Sequence, residues 1–434
     1  MPTSIPYLNG FGNHFESEAL ASALIKGQNS PQKVPYGLYT EQLSGSAFTT
    51  PRQGNLHSWL YRIRPSVLHG EFSLVNQSNL VGTPFDLSYT PPVQMRWDPM
   101  PYPTSLRHFV ESMMTLAGNG SIEMQIGAAI HLYCATQSMQ NAFFYNADGD
   151  FLIVPQEGRL RFNTEFGVMD VAPGEIVVIP RGIKFQVHLL DEKARGYICE
   201  NYGSPFRLPE LGIIGANGLA NPRDFQVPVA AFEDRVGSFK LLAKFQGQLW
   251  ETSIEHHPLD VVAWHGTYVP YKYNLNLFNT VNTVSFDHLD PSIFTVLTSP
   301  SSIPGTANVD FVIFPPRWMV ANNTFRPPYY HRNIMSEYMG LITGTYDAKE
   351  TGFVPGGGSL HNCMAAHGPD NHAYDKAISA TLSPEFQTNT LAFMFESKQV
   401  WRLTSAAFQA DFRQKDYLNC WKGLKSHFKA ELIT

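Results

Sequence analysis

Four histidines and one glutamate in the C-terminal part of the chain, His288, His331, Glu337, His361 and His367, are the residues whose types and spacing suit catalysis. Two neutral imidazoles and one carboxylate on one side of a metal, with open positions opposite, form the constellation of non-heme Fe(II) oxygenases. The charge logic agrees: one carboxylate halves the charge of a divalent ion, and a directly bound anionic substrate then brings the centre near neutrality, which eases electron donation to dioxygen. Zinc accepts the same donors but favours water activation and hydrolysis. Cys363 is a candidate soft ligand, yet a lone thiol more often behaves as a small buried hydrophobe. The other eleven histidines sit in ordinary surface or half-buried patterns, where an imidazole satisfies a local hydrogen bond.

These residues need elements that bring them together. Along Tyr329-Tyr330-His331-Arg332-Asn333-Ile334-Met335-Ser336-Glu337, a straight strand at about 3.3 Å per residue would hold His331 and Glu337 about 20 Å apart, too far for one metal. The chain must turn between them, and Arg332-Asn333 is suited to it. A strand end, a tight turn and a strand start then aim an imidazole and a carboxylate at one point, an arrangement similar to the first motif of the cupin jelly rolls. The third ligand is expected near Gly356-Gly357-Gly358, where backbone lies close to a ligand. Either His361 or His367 closes the triad. Spacing favours His361, because Gly358-Ser359-Leu360-His361 resembles the Gly-x-x-His of the second cupin motif.

Most of the chain alternates in short β-prone runs separated by turn residues: 151–154, 175–179, 183–190, 311–314, 337–346 and 391–395. The run Ala172 to Gly182 also resembles the second cupin motif, but Phe185 stands where a metal-binding histidine would follow, so any metal is expected elsewhere. Helical spacing predicts one helix through Leu106, Phe109, Val110, Met113, Met114 and Ala117, stopped at Gly118. It predicts a second from about 415 to 428 through Leu418, Trp421, Leu424 and Phe428. Residues 1–60 are turn-rich and read as an arm draped over the body; their Gly10-Phe11-Gly12 follows no apolar strand and is not a dinucleotide fingerprint. The expected architecture is mainly β, with two jelly-roll or cupin-like β-sandwich domains, 1–280 and 281–434, and a few peripheral helices.

The 434 residues carry a net charge of −6, which argues against nucleic acid or a polybasic membrane surface as partner. Charged residues make up only 16%, so subunit interfaces are expected to cover part of the surface. Four scattered cysteines without a Cys-x-x-Cys pair, no leader-like start and no long apolar stretch suggest a soluble cytoplasmic protein.

Over nearly its whole length the chain resembles the homogentisate 1,2-dioxygenase family. The resemblance rests on Gly10 to Ala19, Pro35 to Phe48, Asp148 to Gln156, and the blocks from His331 and Gly356. It implies a ring-cleaving enzyme that takes homogentisate and O2 to maleylacetoacetate in phenylalanine and tyrosine breakdown. It also implies Fe(II) held by His331, Glu337 and His367, which overrules the spacing preference for His361. His361 and Tyr346 become substrate-contacting residues, as does His367, and His288 becomes the general base, with Asp287 and Asp290 beside it to raise its proton affinity. Tyr346 lies nine residues beyond Glu337, on the opposite face of a regular strand, so a bulge at Gly340 or Gly344 is expected. Family members assemble as hexamers built from trimers, which would account for the low charge and the draped arm.

Overall fold

The computed structural model of the chain describes residues 5–76, 78–83, 89–346, 348, 349 and 351–430. Among them the strands form sheets of nine, seven, six, four and two strands, and the fold is mainly β. The nine-stranded sheet is the middle of three layers. Its strand Asp150–Glu157 alternates between faces: Phe151 and Ile153 pack with Phe144, Phe162 and Phe185 of the seven-stranded sheet. Leu152 and Val154 pack with Phe311, Ile313, Phe393 and Phe395 of the six-stranded sheet. A strand buried on both faces reads as an unbroken apolar run, as this one does.

The expected runs fall on strands Asp150–Glu157, Glu175–Ile179, Phe185–Leu189, Ala307–Phe314, Ser336–Gly344 and Thr390–Ser397. Phe185 is a core residue whose ring meets Phe144 and Phe162. The arm supplies edge strands, Tyr7–Asn9 on Phe225–Pro228 and Phe15–Glu18 on Val261–Gly266, and Phe11 packs against Phe225 and Tyr271.

Both predicted helices are corrected. Residues 109–112 form a turn, with one helix-like bond from Ser112 N to His108 O, and Met114–Gly118 is a strand paired with Ala128–Ala135. Phe109, Val110 and Met113 are nonetheless buried; a single turn satisfies the helical spacing before strand pairing takes over. At the C-terminus only the 3-10 turn Tyr417–Trp421 forms, and Leu418, Leu424 and Phe428 are exposed. The buried residue there is Tyr417, which the helical reading did not select.

Two pairings tie the halves together. Met95–Trp97 adds to the edge of the six-stranded sheet beside Gly358–His361, and Arg402–Leu403 adds to the nine-stranded sheet beside Met114–Gly118.

Candidate metal centre

Four ionisable residues stand side by side across the six-stranded sheet. Asp310 pairs with Glu396, Glu396 with Glu337, and Glu337 with His361, each from a neighbouring antiparallel strand. Their chain neighbours Phe311, Phe395, Tyr338 and Leu360 turn the other way, into the core. Period-2 alternation thus puts the polar row on the outer face of this sheet.

The chain bends at Ile334-Met335, directly after the Arg332-Asn333 pair where the turn was expected. Asn333 Oδ1 accepts from Met335 N at 3.0 Å, while its Nδ2 donates to Glu396 Oε1 at 2.7 Å and to Glu337 Oε1 at 3.3 Å. The glycine-rich segment is tied to this turn by Met364 N donating to Asn333 O at 2.7 Å, and by reciprocal backbone bonds between His331 and His367 at 3.0 and 3.1 Å.

The ligand atoms of His331, Glu337 and His367 lie within 4.8 Å of one another. Each imidazole is oriented from behind: His331 Nδ1 meets Tyr329 O at 2.8 Å and His367 Nδ1 meets Ala365 O at 2.8 Å. Carbonyls only accept, so both Nδ1 atoms carry hydrogen and the Nε2 atoms point forward. His367 Nε2 is 3.1 Å from Glu337 Oε2, and His331 Nε2 is 3.8 Å from Glu337 Oε1. A backbone-anchored N–H that fixes tautomer and ring orientation is how proteins prepare histidines for a metal. Burial alone would raise the Glu337 carboxyl, but the two imidazoles hold it well below the usual carboxylate range, and Glu337 in turn raises His331. Such a centre holds either protons or a cation, and a divalent metal fits its donors.

His361 is near but differently engaged. Its Nε2 meets the Tyr417 hydroxyl at 3.2 Å, its ring stacks on His367 at 4.1 Å, and its Nδ1 stands 3.9 Å from Glu337 Oε2. Burial and the neighbouring His367 push its pKa well below the usual value, so the ring is neutral.

The centre opens into a cavity of about 440 Å³ lined by His288, Tyr346, Lys349 and the apolar side chains Phe314, Met339 and Met394, among others. Tyr346 reaches it because a register shift lies between Leu341 and Thr343, between the two glycines at which the bulge was expected. Gly344 has φ of 76°, and a Cβ there would collide with Asn389 O. Beside His288, Asp290 accepts from the Tyr329 hydroxyl at 2.5 Å, and His288 Nδ1 meets Leu289 O at 3.4 Å.

Sequence reasoning passed over Glu396, Asp310 and Lys349. Burial, reinforced by Glu337, pushes Glu396 up to about 7, and burial raises Asp310 to about 6 and lowers Lys349 to about 8. The signal for Glu396 was an acid ending the apolar run Leu391 to Phe395 in the phase of a buried face.

Two family models match the chain: one described as homogentisate 1,2-dioxygenase N-terminal over residues 6–275, and one described as homogentisate 1,2-dioxygenase C-terminal over residues 276–428. Similar solved structures include a putative glyoxylate-induced protein from Pseudomonas aeruginosa (10% identity, 76% of this chain and 98% of that one, TM-score 0.31). Others are a mutant oxalate decarboxylase from Bacillus subtilis (13%, 73% and 80%, 0.31) and a cupin 2 conserved barrel domain protein from Leptotrichia buccalis (9%, 66% and 87%, 0.28). Among the described residues, no helix is long and apolar enough to cross a membrane.

Proposed function

The chain belongs to the homogentisate 1,2-dioxygenase family, and from that premise we propose that it uses Fe(II) to open the ring of homogentisate, 2,5-dihydroxyphenylacetate, with O2. Both oxygen atoms are retained in the product, maleylacetoacetate, within phenylalanine and tyrosine breakdown. His331, Glu337 and His367 hold the iron, and their convergence at the wall of the cavity carries this reading. Bound there, ferrous iron supplies the electron transfer that lets dioxygen react with a closed-shell aromatic.

The remaining tasks belong to the chain. With a single carboxylate in the triad, the centre keeps a net positive charge that draws an anionic substrate. His288, which lines the cavity, is the base that takes a phenolic proton: its Nδ1 meets Leu289 O at 3.4 Å, which leaves Nε2 as the acceptor. Tyr346 and His361 meet substrate oxygens, His367 borders the substrate as well as holding the metal, and Lys349 adds a buried cation. Phe314, Met339 and Met394 pack the ring and exclude water.

The test is oxygen uptake by protein reconstituted with ferrous iron. Uptake with homogentisate, accompanied by the absorbance of the ring-opened product and far exceeding that with gentisate, is expected. Equal rates, or none with homogentisate, would overturn the assignment.

Assembly as a hexamer of two trimers in the cytoplasm is part of the same proposal. The charged fraction of 16%, exposed apolar residues such as Phe48, Ile213 and Phe286, and four free cysteines support it. Sedimentation should show the assembly, and a monomer would refute it.

A further inference from the structure

His361 lines the cavity, and its buried Nδ1, 3.9 Å from Glu337 Oε2, has no hydrogen-bond partner among the described residues. What that atom offers is decided on the far side of the ring. Arg96, buried on the edge strand Met95–Trp97, sends Nη2 to the Tyr417 hydroxyl at 3.3 Å, and its guanidinium lies 4.1 Å from the centre of the Tyr417 ring. A guanidinium has five donors and nothing to accept with, so in this contact the tyrosine oxygen accepts. The tyrosine's own hydrogen is then left for its other neighbour, His361 Nε2, at 3.2 Å. A neutral imidazole that accepts at Nε2 carries its hydrogen on Nδ1.

A second contact reaches the same answer independently. With the hydrogen on Nε2, the Nδ1 lone pair would face the Glu337 carboxylate oxygen at 3.9 Å, and the Tyr417 oxygen would have to accept from both Arg96 and His361, leaving its own hydrogen without either as acceptor. With the hydrogen on Nδ1, both contacts are favourable.

We propose that Tyr417, oriented by Arg96, is a positioning residue that fixes His361 as an Nδ1–H donor aimed into the cavity, where it meets an acceptor oxygen of the anionic aromatic substrate. The donor is thus set by a residue of the N-terminal half and by a C-terminal turn, neither of which lines the cavity. This deepens the dioxygenase reading and rests on it for the identity of the acceptor.

The test reads the tautomer directly. In the full chain loaded with Zn(II) as a diamagnetic stand-in, 15N spectra of labelled histidine, with His361 identified by the signal lost in His361→Gln, should show hydrogen on Nδ1. In Tyr417→Phe the signal should shift toward the Nε2–H form. The same variant should bind ferrous iron as the unaltered chain does, with kcat/KM for homogentisate lowered about tenfold, the scale of one hydrogen bond. Hydrogen on Nε2 in the unaltered chain, or a Tyr417→Phe spectrum identical to it, overturns the proposal. The unaltered chain suffices if the variant does not fold, and because no substrate is present, an error in the substrate assignment does not move this result.

Discussion

Two buried histidine–glutamate contacts, one in each half of the molecule, differ in what surrounds them. In the N-terminal half His131 Nε2 meets Glu200 Oε2 at 2.9 Å; in the C-terminal half His367 Nε2 meets Glu337 Oε2 at 3.1 Å. Around Glu200 every valence is taken. Lys244 donates to Glu200 and to Asp148 at 2.7 Å each, Asn146 donates to Glu200 at 2.7 Å, and His131 Nδ1 meets the Thr115 hydroxyl at 2.9 Å. The lysine ammonium is a built-in cation, and the network is closed. Around Glu337 the second cationic position is not a lysine but the converging Nε2 atoms of two histidines, at the wall of a cavity. A histidine beside a glutamate is therefore no site in itself; the site is where the protein leaves the charge for a ligand to complete.

The largest effect that can break this contrast is expected at Glu337. Glu337→Ala should abolish ferrous-iron binding and lower kcat/KM by at least about a thousandfold, the several kcal/mol that a metal ion supplies. Metal analysis and oxygen uptake check it, and full iron occupancy in the variant would end the case for this triad. Next in size, Glu200→Ala should leave iron content intact but cost about 3–5 kcal/mol in denaturant unfolding, because Lys244 loses one of its two buried carboxylates.

Acid separates the two networks further. Against opposing burial, Lys244 and His131 hold Glu200 at about 2, below its ordinary 4.5, so its stabilising contribution is complete above pH 4.5 and disappears as pH falls toward 2. The loss is about 3 kcal/mol in stability measured across that window, and Glu200→Gln should flatten the slope. The metal should leave before then: a protonated imidazole cannot ligate, so chelator stripping should become easier as pH drops while circular dichroism is still unchanged. The smallest effect is expected from Asn333→Ala, which frees the Glu337 carboxylate from the turn. Iron affinity should fall about 10- to 100-fold, the usual scale for residues behind a metal ligand, with turnover largely recovered at saturating iron.

The strand runs were legible because alternation along a strand is a local property, and so was the bend after Asn333, since six residues of extended chain cannot bring His331 to Glu337. The helix expected at 106–117 failed for the converse reason. Its spacing is real over Phe109 to Met113, but pairing of Met114 with Leu132 is a long-range event that local pattern does not contain. Lys349, Glu396 and Asp310 stayed hidden because single charged residues in a strand or loop do not announce which cavity they face.

Residue types, alternation and the family blocks were determined by the sequence alone: a mainly β chain with histidine and glutamate donors for a metal in its C-terminal part. Between His361 and His367, spacing and the family blocks point different ways, and the tertiary structure gives the geometric reason for the family's choice. Local spacing favours His361, but that residue lies in register with Glu337 on the adjacent strand and turns its Nε2 to Tyr417, while backbone bonds to His331 bring His367 Nε2 onto the carboxylate. Those bonds join segments more than 30 residues apart, and only the folded chain supplies the energy that closes them.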